Sequence, residues 1–103
     1  MGAQGFLSAD GNLAPALAAR IISGANAGDM AETNAAFARF IRLFNINKWG
    51  GSMRWLKSAM AVLELPGANL RPPFLELDES ARRTITDKLS RLALTDDEIV
   101  RPA

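Results

Sequence analysis

Cysteine, histidine and tyrosine are all missing from the 103 residues. Without cysteine there is no disulfide framework and no thiol chemistry, which fits a cytoplasmic protein. Without histidine, Ser-His-Asp and Cys-His arrangements are excluded within this chain, and the usual zinc ligands are gone. Any acid–base work would fall to carboxylates or lysines. No apolar run approaches the length of a membrane helix. The opening residues lack a basic region followed by an apolar one, so no signal peptide is expected. An excess of one charge is lacking too: 12 basic residues stand against 11 acidic, a net +1. That balance argues for neither a nucleic-acid nor a membrane partner.

What is present is apolar. Hydrophobic residues make up 49% and aromatics 7%, enough for a core and enough to suggest apolar surface awaiting a partner. The length allows one domain at most. A complete (β/α)₈ barrel needs about 250 residues and cannot fit.

Gly5-Phe6-Leu7-Ser8 places its apolar residues consecutively, as in a short strand buried on both faces. Asp10-Gly11-Asn12 signals a turn, and Pro15 suits the first turn of a helix. Leu17, Ile21 and Ile22 make that helix's apolar stripe; Gly24 weakens the pattern and Gly28 is a plausible stop. Asp29 and Glu32 have the spacing of a capping box. The helix they open carries Ala36, Phe37, Phe40, Ile41 and Phe44 on one face, which reads as core packing. Gly50-Gly51 breaks the chain, and Ser52 is a candidate N-cap for a third helix striped by Met53, Leu56, Met60 and Leu63. Pro66-Gly67 ends it. Leu70 to Leu77, with Pro72-Pro73, should be extended. Asp78 caps a fourth helix with the stripe Ala81, Ile85, Leu89 and Leu92. Thr95 and Glu98 have capping-box spacing for one last turn or a frayed tail. The helices are thus expected near 14–27, 30–45, 52–64 and 79–92.

Little in the chain carries chemistry by itself. A Schiff-base lysine needs a desolvated pocket or a cationic neighbour. Lys57 has Arg54 one turn before it, but it sits inside a helix, where a solvated charge is the simpler reading; Lys48 and Lys88 offer less. Arg39, Arg42, Lys48, Arg54 and Lys57 have no acid among positions 33–63, and Phe40, Trp49 and Trp55 are interleaved. Such a stretch can bind phosphates and stack bases, or it can be a solvated helix face plus core aromatics. Asp96, Asp97 and Glu98 are adjacent and so point different ways, as in a solvated tail rather than a cation site. No metal site and no cofactor are expected.

Several segments, in order, resemble one family. Gly2-Ala3-Gln4-Gly5-Phe6-Leu7-Ser8, then Asn12 and Pro15, resembles the eighth-strand pattern of the dihydrodipicolinate synthase / N-acetylneuraminate lyase family. Ala27-Gly28-Asp29 resembles the turn after that family's eighth barrel helix. Lys57-Ser58-Ala59-Met60 with Leu63-Glu64-Leu65-Pro66-Gly67 is similar to its VKAAL…LGLPGG segment, and Leu70-Arg71-Pro72-Pro73 with Leu75 to Glu79 to its VRxPLxPLxxEE stretch. There are departures. Ser52-Met53-Arg54-Trp55-Leu56-Lys57 replaces an Asn-Pro-x-Pro-x-Lys run and lacks both prolines. Ala9 stands where sialic-acid-type lyases place a serine, which leaves the substrate open.

The resemblance implies the C-terminal fragment of a (β/α)₈ TIM barrel with its helical subdomain. The chain itself is then mainly α, about four helices plus one short N-terminal strand. Residues 1–28 would be the last barrel strand and helix, 29–94 the C-terminal helical subdomain and 95–103 a tail. The implied parent enzyme is a lyase that forms a Schiff base between a barrel lysine and a 2-oxo acid such as pyruvate, with a tyrosine relaying protons. Both residues lie on earlier strands, so no catalytic residue is expected in this chain, which would be inactive alone. Leu7, Ser8 and Ala9 would be pocket wall at the strand's C-terminal end. A homo-oligomer is the expected partner state, and a separate N-terminal barrel chain is a second candidate partner. The rival expectation is a free-standing small helical interaction protein, or a nucleic-acid binder through residues 39–57, although the charge balance disfavours nucleic acid.

Overall fold

The computed structural model describes residues 4–46 and 52–99. Among them the order is a 3₁₀ turn (Asp10–Asn12), α1 (Pro15–Ala27), α2 (Met30–Ile46), α3 (Ser52–Val62), α4 (Glu79–Leu92) and α5 (Asp96–Ile99). The first four α-helices lie where the stripes and caps place them. No strand occurs among the described residues. The strand expected at Gly5–Ser8 is irregular over its described part, and Met1 to Ala3 fall outside the described residues. A strand exists only by pairing, and the described residues offer residues 4–8 no partner strand.

α1 and α2 form a hairpin built on local chemistry. Pro15 opens α1, where a missing N–H does no harm. Gly28 takes the left-handed conformation, φ 73°, and its N–H donates to the Ala25 carbonyl. The Asp29 N–H donates to Gly24 O at 2.9 Å, completing a Schellman turn. Asp29 then caps α2: its carboxylate accepts from the Glu32 N–H at 3.0 Å. Only this half of the expected capping box forms, because the Asp29 N–H is already given to Gly24. Gly24 is buried inside α1 for a steric reason. A Cβ there would meet Thr33 Oγ1 at 2.5 Å and the Thr33 backbone N at 3.2 Å. The glycine that weakens the helical pattern is what lets the two helices approach.

The core gathers Leu13, Leu17, Ala36, Phe40, Leu43, Ile46, Trp55, Leu56, Ala59, Leu77, Ile85 and Leu89. α4 packs on both α2 and α3, with Asp78 as N-cap accepting from the Ala81 N–H at 2.8 Å. Two expected stripes are turned. On α2 the buried line is Ala36, Phe40, Leu43 and Ile46, while Phe37 and Phe44 are exposed. On α3, Trp55, Leu56 and Ala59 are buried and Met53 is exposed. α3 ends at Val62 because Glu64 adopts φ 57° and the Leu65 N–H folds back to Met60 O, a second Schellman turn without glycine.

The last turn is docked. Thr95 and Glu98 form a reciprocal capping box: the Glu98 N–H donates to Thr95 Oγ1, and the Thr95 N–H to Glu98 Oε1. Glu98 is also gripped by Arg39, Nε to Oε2 and Nη2 to Oε1, both at 2.7 Å, while Nη2 donates to Ala93 O as well. Glu98 and Ile99 are buried, and α5 packs on α1. The acids at 96–98 are therefore not a uniformly solvated tail. The Arg39 fork chiefly, with the Thr95 N–H and hydroxyl, draws the Glu98 carboxyl from 4.5 down to about 2, against the opposing effect of burial.

Two outcomes follow for thermal and denaturant unfolding. Gly24→Ala gains about 1 kcal/mol of helix propensity but forces a clash of about 1–3 kcal/mol, so it lowers stability on balance. Thr33→Ala, which removes the nearest atom, restores most of the loss in the double variant. Glu98→Gln lowers stability by about 1–3 kcal/mol at neutral pH. Because the folded carboxyl titrates below its unfolded value, its contribution is complete above 4.5 and drains as pH falls toward about 2. A melting series in acid should show that loss in the parent chain and a flatter profile in Glu98→Gln.

Candidate functional site

The three residues expected to line a pocket sit consecutively before the 3₁₀ turn. Leu7 is fully exposed, Ser8 half-buried and Ala9 exposed. Local hydrogen bonds fix the turn they lead into. The Gly11 N–H donates to Ser8 Oγ at 3.2 Å. Ala9 O accepts from the Asn12 backbone N–H at 3.1 Å and from Asn12 Nδ2 at 2.8 Å. Asp10 O accepts from the N–H groups of Leu13 and Ala14. These bonds give Asn12, which closes the family-like loop, a structural task.

The turn is also tied to a distant element. Asp10 is only 4% exposed, and its Oδ1 accepts from Trp55 Nε1 at 3.2 Å. Trp55 is the largest of the fully buried side chains. Sequence reasoning missed this pair. It took Asp10 as a turn former and Trp55 as one aromatic of a basic stretch. No local signal could have joined residues 45 apart.

The described residues of the basic stretch do not assemble into one binding face. Arg39 holds Glu98, and Arg54 donates from Nε to Leu75 O at 2.7 Å and from Nη2 to Glu76 O at 2.9 Å. Lys57 Nζ donates to Gly67 O, closing the loop after α3. Arg42 is exposed. Phe40 and Trp55 are in the core, not on a stacking surface. Lys48 and Trp49 fall outside the described residues. Lys57 thus straps a loop from an α-helix; it does not stand at a strand end. Lys88 lies on α4, half-buried.

A shallow apolar groove of about 200 Å³ runs between the N-terminal segment and α1, lined by Gln4, Gly5, Phe6, Ile21, Ile22, Ala25 and Asn26. Phe6 closes one side and meets Phe40 edge-on, ring centroids 6.0 Å apart. The groove carries no charged or nucleophilic side chain. Among the described residues no three Asp or Glu side chains gather where they could hold a metal ion. No helix among them is long and apolar enough to cross a membrane.

Comparison with known proteins gives a consistent answer. The model of the dihydrodipicolinate synthetase family matches residues 1–92. A 4-hydroxy-tetrahydrodipicolinate synthase of Chlorobium limicola (strain DSM 245 / NBRC 103803 / 6330) is 28% identical over 94 residues, covering 91% of this chain. A protein of the same description from Chlorobium chlorochromatii (strain CaD3) is 26% identical over the same length. The chain spans about a third of these relatives, 32% of each. No solved structure matches.

Proposed function

Because the chain belongs to the dihydrodipicolinate synthetase family, we propose that it acts as the C-terminal part of a Schiff-base 2-oxo-acid lyase. In this reading residues 4–9 are the end of the last barrel strand, α1 is the last barrel helix and α2 to α4 form the subdomain outside the barrel. Leu7, Ser8 and Ala9 contribute wall and backbone to the pocket. The lysine that forms the imine with pyruvate or a similar acid, and the tyrosine that relays protons, belong to earlier strands. This chain alone is then inactive. The proposal includes a cytoplasmic location, in keeping with the absence of cysteine.

The observation that carries the reading is the exposure of phenylalanine. Of five phenylalanines, Phe6, Phe37, Phe44 and Phe74 are each at least 45% exposed, and only Phe40 is buried. Phenylalanine ranks among the most buried residue types. Leu7 and Leu75 are exposed beside them. Fully burying each such side chain is worth about 1.5–3 kcal/mol, so this surface favours a covered state. The radius of gyration, 14.4 Å, also exceeds the about 13 Å of a compact domain of 100 residues. A barrel body covers the N-terminal segment and the outer face of α1, and a second copy of the enzyme is proposed to meet part of the remainder. The nucleic-acid reading loses support because its described aromatics are core and three of its cations are engaged within the fold.

The test is imine trapping. The isolated chain, treated with pyruvate and borohydride, should give no adduct by mass spectrometry. Addition of a family barrel chain truncated before its last strand should restore lyase turnover, with the adduct on that barrel chain. A stable adduct on Lys57, or salt-dependent nucleic-acid binding by a monomer indifferent to the barrel chain, would contradict the reading.

A further inference from the structure

We propose that Asp10 and Trp55 are a positioning pair, through which α3 sets the shape of the pocket-wall turn and hence the binding of the 2-oxo acid. The proposal rests on the lyase reading for its functional consequence, while the geometry stands apart from it. The turn at Asp10–Asn12 follows directly on Leu7, Ser8 and Ala9. Its own bonds, Gly11 N–H to Ser8 Oγ and Asn12 to Ala9 O, are short-range and close the turn on itself. They do not say where the closed turn sits relative to the helical body. Asp10 O accepts from the Leu13 and Ala14 N–H groups, which joins the turn to the start of α1, and the Asp10–Trp55 bond adds the side-chain tie from the turn to α3.

Chemistry favours this role. A carboxylate that is 4% exposed is costly to withdraw from water unless hydrogen-bonded. An indole N–H is a donor only, and a buried one requires an acceptor. Each group therefore answers the other's need, and neither can turn away without leaving a buried polar atom unpaired. Trp55 is 1% exposed and packed among core residues, so its N–H is aimed from a fixed base. It also stands where the resembled Asn-Pro-x-Pro-x-Lys run has its second proline, a residue with no N–H to give. The consequence falls on the turn. Freed from Trp55, it opens its internal bonds more often and shifts on the body, carrying Ser8 and Ala9 with it. A displaced pocket wall loses contacts it makes equally to bound acid and transition state, which raises KM and leaves kcat nearly unchanged.

Two readouts decide. The first is hydrogen exchange in the full chain, comparing Asp10→Ala, Trp55→Phe, their double variant and Asp10→Asn, which keeps an acceptor oxygen. The amides of Gly11, Asn12 and Leu13 should exchange about five- to tenfold faster in both single variants, the scale of one ordinary hydrogen bond. The double variant should be no faster than the worse single one, Asp10→Asn should stay near the parent, and α2 amides at Phe40 and Leu43 should not change. Simple addition in the double variant, unchanged exchange in Asp10→Ala, or equal acceleration throughout α2 would each overturn the pairing as a local device. The second readout is turnover with the truncated barrel chain. Asp10→Ala should raise the pyruvate KM while kcat stays within about threefold, the pattern of lost binding rather than lost chemistry. An equal fall in kcat at unchanged KM would overturn the assigned role. If the unaltered chain restores no turnover, the lyase reading and the functional half of the proposal fail, and exchange still decides whether the pair fixes the turn.

Discussion

Trp55 is withdrawn from water, so its N–H must be satisfied inside the protein, and Asp10 satisfies it. Much of the structure is arranged around this necessity. A buried aromatic removes roughly 150–250 Å² from water, about 4–6 kcal/mol at about 25 cal/mol per Å². That gain places α3 against the core, and α4 packs across α3 and α2 to enclose it. The 3₁₀ turn is drawn to the same core, with Leu13 and Ala14 following it to complete burial. The helical body and the segment before α1 are thus joined through Asp10 and Trp55, beside the Phe6–Phe40 ring contact, although they lie in distant parts of the sequence.

The remaining order is held by short-range devices that need little core. The α1–α2 hairpin depends on a left-handed glycine, a carboxylate cap and a glycine seat for Thr33. The loop after α3 is held by Lys57 and by the backbone return at Leu65. Arg54 grips the carbonyls of Leu75 and Glu76 just before Leu77 turns into the core. The terminal turn is fastened through Arg39. Three basic residues that a sequence scan would offer to a polyanion are therefore employed on the protein's own backbone and on one carboxylate.

Much of the helical architecture was legible in the sequence, because caps and breaks are local. Asp29, Asp78, Gly28 and the Thr95–Glu98 box announce helix ends through bonds spanning a few residues. Which face turns inward was less legible. On α2, the lines 36, 40, 43 and 37, 41, 44 are both apolar, and only packing with α1 and α4 selects the first. On α3 the methionines drew attention from Trp55. The expected strand is irregular in the structure, and no strand among the described residues stands ready to pair with it. The proposed pocket wall rests on the resemblance alone. Leu7, Ser8 and Ala9 have no chemistry of their own, and the Asp10–Trp55 contact arises from the fold. The family itself could be read because four weak segments stand in one order.

The central claim is that this chain works as part of a larger barrel enzyme. Native mass spectrometry of the protein taken directly from its cells tests it with no assumption about substrate. The account predicts a polypeptide about three times the 11.1 kDa of this chain, since the chain spans 32% of its relatives, or a complex with a separate barrel chain. An unaccompanied 11.1 kDa monomer as the only form would contradict it.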